Sequence, residues 1–222
     1  RIRSHVPLLY LALNKPTGVV TSVHDPHAER TVMQFVRNAG ERVYPIGRLD
    51  ADTAGLLLFT NDGAFAQAIS HPSHRIAKTY RAVVRGIVDD FAVTDLRMGV
   101  LLEDGMAAAD DVAVVERRAR DNVTVVDLTI RQGRNRQIRR MLQAVGAHVL
   151  ALTRTAIGPI ALSGLAPGTW RKLRASEVAS LRELSETSCE PTDNTERESD
   201  GRSGQEPQRR PARDSKTDRH KP

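Results

Sequence analysis

Between Gly47 and Gly63 the chain reads GRLDADTAGLLLFTNDG. Four large apolar residues in a row, Leu56 to Phe59, demand burial. The segment therefore reads as a buried strand, closed by the turn-forming triplet Asn61-Asp62-Gly63. Burying it draws its flank, Arg48, Asp50 and Asp52, towards the interior. Half-buried carboxylates are costly unless they are paired or put to use. This one stretch asks for a sheltered strand with charged groups held at its mouth.

Flanking segments fit around such a strand. LLYLALNKP (8–16) is an apolar run of strand length ended by Pro-Thr-Gly, and AFAQAIS reads as a helix stopped before His71-Pro72. KTYRAVVRGIV, DVAVVE and VTVVDLTI are rich in β-formers. Apolar residues at helical spacing predict a helix in RTVMQFVR (30–37) and another in NRQIRRMLQAVG, where Ile138, Met141, Leu142 and Val145 share a face and Gly146 ends it. HVLALTRTAIGPIAL and GTWRKL are strand-like, and SEVASLREL predicts a last helix with Ser176 as its N-cap. Strands and helices mix without regular alternation, so the expected class is α+β with a mainly antiparallel mixed sheet flanked by helices and loops.

From Glu186 onward no large apolar residue occurs, and the segment cannot offset its ordering entropy by burial. Residues 185–222 are therefore expected to be a disordered polar tail. With 9 acidic and 8 basic residues, Glu186–Pro222 is nearly neutral, which leaves 25 basic against 18 acidic residues in the remainder. A basic folded part suits a polyanionic partner such as nucleic acid, although ordinary surface charge would give the same count. The single cysteine, Cys189, excludes an internal disulfide, and no signal peptide or long apolar span is present. A cytoplasmic setting without membrane association is expected.

Three constellations carry chemistry. The first is Arg48, Asp50 and Asp52, which share one side if the backbone is extended. A turn whose aspartates cap the next segment would explain them equally. No further acidic or histidine cluster completes a metal site around Asp50 and Asp52, and no phosphate-cradling or dinucleotide glycine pattern occurs, so neither metal nor cofactor is expected. The second is RQGRNRQIRRM, with Arg131, Arg134, Arg136, Arg139 and Arg140. A guanidinium fork suits phosphate or fixed carboxylate pairing, and a merely solvated face would more cheaply mix Lys with Glu. The third is Tyr80 between Lys78 and Arg81, an aromatic beside cations that suits base stacking, or else cross-strand packing.

Taken in order, LNKPTGVVTS, GRLDADTAGLLLFTNDG, KTYRAVVRG and GRNRQIRRM resemble the motifs of ribosomal RNA pseudouridine synthases of the Rsu type, over about Leu8 to Leu184. The resemblance implies the pseudouridine synthase catalytic fold over 8–184, and residues 1–7 as the remnant of a linker from an N-terminal RNA-binding domain that relatives carry. It implies Asp50 as the catalytic aspartate, Arg48 as the arginine that assists base displacement, and Tyr80 as the residue stacking on the uracil. It further implies Arg139 as the arginine paired with the catalytic carboxylate and Ile138 as the aliphatic residue behind the tyrosine. Lys15, Arg134, Arg136 and Arg140 complete the expected substrate-contacting set. Gln132 departs from the acidic residue that relatives often show before Gly-Arg. The expected activity is isomerisation of uridine in ribosomal RNA, free or in a pre-ribosomal particle, by a monomer, with the large subunit favoured over the small. Two other readings compete. One is a non-catalytic RNA-binding or ribosome-assembly module on the same fold; the other is a metal-dependent phosphotransfer enzyme using Asp50 and Asp52.

Overall fold

The apolar run becomes an eight-residue strand, Thr53–Thr60, whose Leu56 to Phe59 are all fully buried. Burial on both faces follows from its place inside the sheet, with a core cluster on each side. The computed structural model describes residues 6–187. Their elements begin with β1 (Tyr10–Lys15), a single 3-10 turn at Val32–Phe35, β2 (Tyr44–Ile46), β3 (Thr53–Thr60) and α1 (Gly63–Ser70). β4 (Lys78–Arg85), α2 (Asp90–Met98), β5 (Val100–Leu102), β6 (Gly105–Ala107), β7 (Asp111–Arg118) and β8 (Val123–Ile130) come next. α3 (Gln137–Ala144), β9 (His148–Ile157), β10 (Ile160–Ala161), β11 (Trp170–Lys172) and α4 (Ala175–Thr187) follow.

The main sheet runs β11-β1-β3-β9-β4-β8-β7, with β2 beside β3 and β10 beside β9; β5 and β6 form a separate hairpin. Every pairing is antiparallel except β3 with β9, so the expected α+β class with a mainly antiparallel sheet is what the chain forms. Alternate side chains feed two cores. Leu57 and Phe59 belong to the larger cluster, which also holds Leu96 of α2 and Ile138, Met141 and Leu142 of α3. Leu56 and Leu58 pack on the other face with Phe65 and Ile69 of α1 and Leu181 of α4.

One crossing decides how close the strands come. At Gly55 (φ +108°), opposite Arg154, a Cβ would lie 2.3 Å from the Arg154 carbonyl oxygen and 2.7 Å from its amide nitrogen. Only glycine lets β9 pair there.

Three sequence expectations change. Residues 30–37 form only the single turn at Val32–Phe35. Ser176 is not an N-cap, because α4 already includes Ala175; Glu177 instead accepts the Arg174 amide at 2.8 Å. The helix also runs to Thr187 with Ser185 buried, so the chain is ordered beyond 184. The rest of the expected tail, and most of the expected linker remnant, lie outside the described residues. Among the described residues no helix is long and apolar enough to cross a membrane.

Candidate active site

Asp50 sits in the loop between β2 and β3, and the backbone of that loop is pinned from several sides. The Thr21 hydroxyl donates to the Leu49 carbonyl at 2.8 Å and accepts from its amide at 3.3 Å, while the Leu49 side chain is buried. The Ala51 carbonyl accepts from the Gly18 amide at 2.8 Å and lies 3.5 Å from Lys15 Nζ. The Asp50 carbonyl takes the Thr53 amide at 3.1 Å, and the Asp52 carbonyl takes Arg139 Nη2 at 2.9 Å. Loop groups tied this thoroughly hold a side chain in place before any ligand arrives.

Asp50 and Asp52 have unequal partners. Asp52 receives both Nη atoms of Arg136, at 3.1 and 3.0 Å, and Arg139 Nη2 at 3.2 Å. These guanidiniums, Arg136 foremost, hold its carboxyl below the usual range despite partial burial. The Asp50 carboxylate is 39% exposed, and its one ion-pair contact among the described residues is Arg136 Nη1 at 3.6 Å. It is the uncommitted carboxylate of the turn. Arg136 reaches both acids from a left-handed backbone (φ +46°) immediately before α3. A non-glycine residue there carries strain that surrounding contacts must sustain.

Several sequence expectations need correction against this geometry. Arg48 shares no ion pair with Asp50 or Asp52; it is exposed and without a partner among the described residues, because a turn at Ala51–Asp52 breaks the extended run. Arg139 pairs with Asp52 rather than Asp50. Lys15 is not presented to a ligand. It is fully buried at the end of β1, and Nζ donates to the carbonyls of Pro16 and Val19 at 3.0 and 2.8 Å. Arg134 and Arg140 face the β5–β6 hairpin: Arg140 is bidentate to Asp104 at 2.8 and 2.9 Å, and Arg134 lies 3.6 Å from the same carboxylate. Arg131 pairs with Asp110 at 3.1 Å. The arginine cluster is thus matched by acids far away in sequence, which no local pattern reveals.

Tyr80 and Ile138 both belong to the larger core cluster, with Tyr80 only 9% exposed. Tyr80 pairs with Arg154 across β4 and β9, and Lys78 lies on the same face of β4 two residues earlier. Asp52 grips Arg136 and Arg139 rather than a metal, and Lys78 and Arg154 stand beside Tyr80, with Arg154 given no role by the sequence. The available signal was a lone arginine inside the apolar HVLALTRTAI. Among the described residues no group of three or more His, Cys, Asp or Glu side chains is placed to hold a metal ion.

Burial also marks the two lysines. Lys15 is pushed down to about 8 by desolvation, against the pull of Asp52 and Asp50, and Lys78 is pushed down to about 8 by desolvation and then by Arg154. Both start from 10.5, so between about 8 and 10 the unfolded chain keeps protons that the folded chain has released. Stability should therefore rise with pH across that window. Tyr10, raised above 10.0 by burial, acts in the opposite sense only at higher pH. Urea unfolding at pH 7.5 and 9.5 should show the rise, and Lys78→Met should reduce it. A fall in stability over the same interval would contradict this account of the two lysines.

Comparison with known proteins gives concordant results. Residues 9–144 match the family described as RNA pseudouridylate synthase. The chain is 41% identical over 178 residues to the ribosomal large subunit pseudouridine synthase B of Bacillus subtilis, covering 80% of this chain and 73% of that protein. An uncharacterized RNA pseudouridine synthase of Aquifex aeolicus is 40% identical, with 78% and 69% covered. A pseudouridylate synthase crystal structure superposes with a TM-score of 0.69 at 34% identity, covering 79% of this chain and 74% of the other.

Proposed function

Because this chain belongs to the RNA pseudouridylate synthase family, we propose that it converts uridine to pseudouridine in ribosomal RNA of the large subunit, with Asp50 as its catalytic carboxylate. The observation that carries the assignment of Asp50 is the asymmetry of the turn. Asp52 is committed to two guanidiniums, whereas Asp50 is half exposed and only loosely paired. The reaction breaks the uridine N1–C1′ bond, turns the base, and joins C5 to C1′; C5 loses a proton and N1 gains one. Nothing is oxidised or hydrolysed overall. One ionised carboxylate near the ribose, held still, is the protein's main requirement. Lys15 and Arg139 serve it indirectly by fixing the carbonyls of Ala51 and Asp52 on its C-terminal side.

The target base must leave its stack to reach Asp50. Tyr80 offers a ring for it, and a base–aromatic contact is worth about 1–3 kcal/mol. Ile138, a member of the same core cluster, is the aliphatic residue proposed to back the ring. We further propose that it acts as a monomer in the cytoplasm, where ribosomal RNA is found. Mapping pseudouridine on separated unmodified large- and small-subunit RNAs, with and without the protein, tests the proposal. Modification confined to the small-subunit RNA would reject the large-subunit assignment, and none in either would reject the activity.

Phosphate contacts follow a changed expectation. An exposed ion pair contributes little because solvent screens it, so RNA phosphate can replace Asp104 on Arg140 and Arg134 at little cost. Asp104→Ala should therefore tighten RNA binding a few-fold at low salt and steepen the salt dependence, while Arg140→Ala should flatten it by up to about one unit. Binding titrations across a salt series measure both slopes. Unchanged slopes in the two variants would remove these arginines from the RNA interface.

A further inference from the structure

β9 carries one guanidinium into the interior. Arg154 is 3% exposed and forms no ion pair with any carboxylate among the described residues. Its Nε donates to the Leu56 carbonyl at 2.8 Å, Nη1 lies 3.5 Å from the Tyr80 hydroxyl, and the guanidinium carbon is 6.0 Å from the centre of the Tyr80 ring. Nη2 is buried with no hydrogen-bond partner among the described residues. Burying a cation without a counter-charge costs several kcal/mol, and here it also stands near two other cations, Lys15 and Lys78.

A structural role explains part of this. β3 and β9 pair only from Thr53 to Gly55, so the Leu56 carbonyl lacks a strand partner on that side and Arg154 supplies one. A neutral donor would do that without burying a charge. The remainder of the fork faces Tyr80. The register that sets Tyr80 opposite Arg154 coincides with a bulge in β9, where Thr155 is the extra residue between the partners of Thr79 and Tyr80. We propose that Arg154 is a positioning residue for Tyr80: it braces the hydroxyl and ring from behind and so fixes the surface on which the displaced uracil stacks. This rests on the reading of Asp50 and Tyr80 as the active site. At 3.5 Å the contact with the hydroxyl is loose, and such contacts commonly tighten once substrate is bound.

The test is a double-mutant cycle on the single-turnover rate, using unmodified large-subunit RNA transcript at saturation. Arg154→Lys keeps the charge and can still reach the Leu56 carbonyl, but has no fork for Tyr80. It should slow the reaction roughly tenfold or more, as displacing a positioned group does, with RNA affinity little changed. In a Tyr80→Phe background the same substitution should cost less than about twofold, since the hydroxyl it acts through is gone. Equal losses in both backgrounds, or an unchanged rate with a lowered melting temperature, would return Arg154 to a purely structural role. Should Arg154→Lys fail to fold, the guanidinium ¹⁵N resonance of Arg154 decides the matter. It should shift between wild type and Tyr80→Phe, and no shift refutes the bracing contact. Asp50→Asn run alongside separates the two readings. Turnover there removes the site assignment, whereas a dead Asp50→Asn with additive Arg154 and Tyr80 effects removes only the role of Arg154.

Discussion

Asp50→Asn is expected to lower the rate of isomerisation by about 10⁴-fold, the upper end of what one positioned acid–base group supplies. The substitution should leave the fold almost untouched. Among the described residues the Asp50 side chain has a single ion-pair contact, at 3.6 Å, and the loop is held by backbone groups that an asparagine retains. Its effect on stability should stay within about 0.5 kcal/mol. RNA affinity should change by no more than a few-fold, because Asp50 adds negative charge to a site that must accept a polyanion. Asp52→Asn is the informative control. It frees Arg136 and Arg139 from their main partner, so it should cost stability and slow the reaction without abolishing it. Turnover by purified Asp50→Asn, with Asp52→Asn dead, would show that the two carboxylates have been assigned the wrong way round.

Gly55→Ala should be the most destabilising single-methyl change in the sheet. The added Cβ would meet Arg154 backbone atoms at 2.3 to 3.0 Å, and main chain cannot swing aside as a flexible side chain can. Overpacking of this kind costs about 1–3 kcal/mol, and a side chain held at strongly positive φ about 1–3 more. At roughly 2–4 °C per kcal/mol, the melting temperature should fall by about 5 to 20 °C. Calorimetry on the two proteins settles it, and a loss under about 2 °C would mean that β9 does not approach β3 as described. Ala54→Gly, at the neighbouring position, should cost far less, since it introduces no clash.

The strands were readable where burial dictated the pattern. Leu56–Phe59 and VTVVDLTI announce themselves because a buried strand tolerates few other residues, and HVLALTRTAI does so through its β-branched and apolar content although Leu150 is 46% exposed. α2 is faint in the sequence for the opposite reason: Phe91 and Met98 are 82% and 80% exposed, and only Ala92 and Leu96 are buried, so its apolar stripe is narrow. The β5–β6 hairpin is too short and too exposed at Leu101 and Met106 to leave a period. For the site, a motif resemblance pointed to Asp50, Tyr80 and Arg139, but pairing was beyond reach. Which acid Arg136 and Arg139 grip depends on a left-handed residue before α3 and a turn at Ala51–Asp52, and both are set by tertiary contacts. Lys15 misled for a related reason, since a lysine after an apolar strand is usually exposed, and here three carbonyls draw it inside.

The place of β9 in the sheet has a consequence for synthesis. Asp50 belongs to the β1–β3 side and Tyr80 to the β4–β8–β7 side, and β9 is the strand that joins them. A growing chain therefore displays both groups well before it can align them. The roughly 75 residues from Tyr80 to the end of β9 take about 4–15 s to make at ~5–20 residues per second. During that interval each half has an unpaired strand edge that waits for the same partner. Chemistry is thus withheld from the nascent chain until its last central strand arrives, and the two waiting edges are where a chaperone or a misfolding contact would find it first.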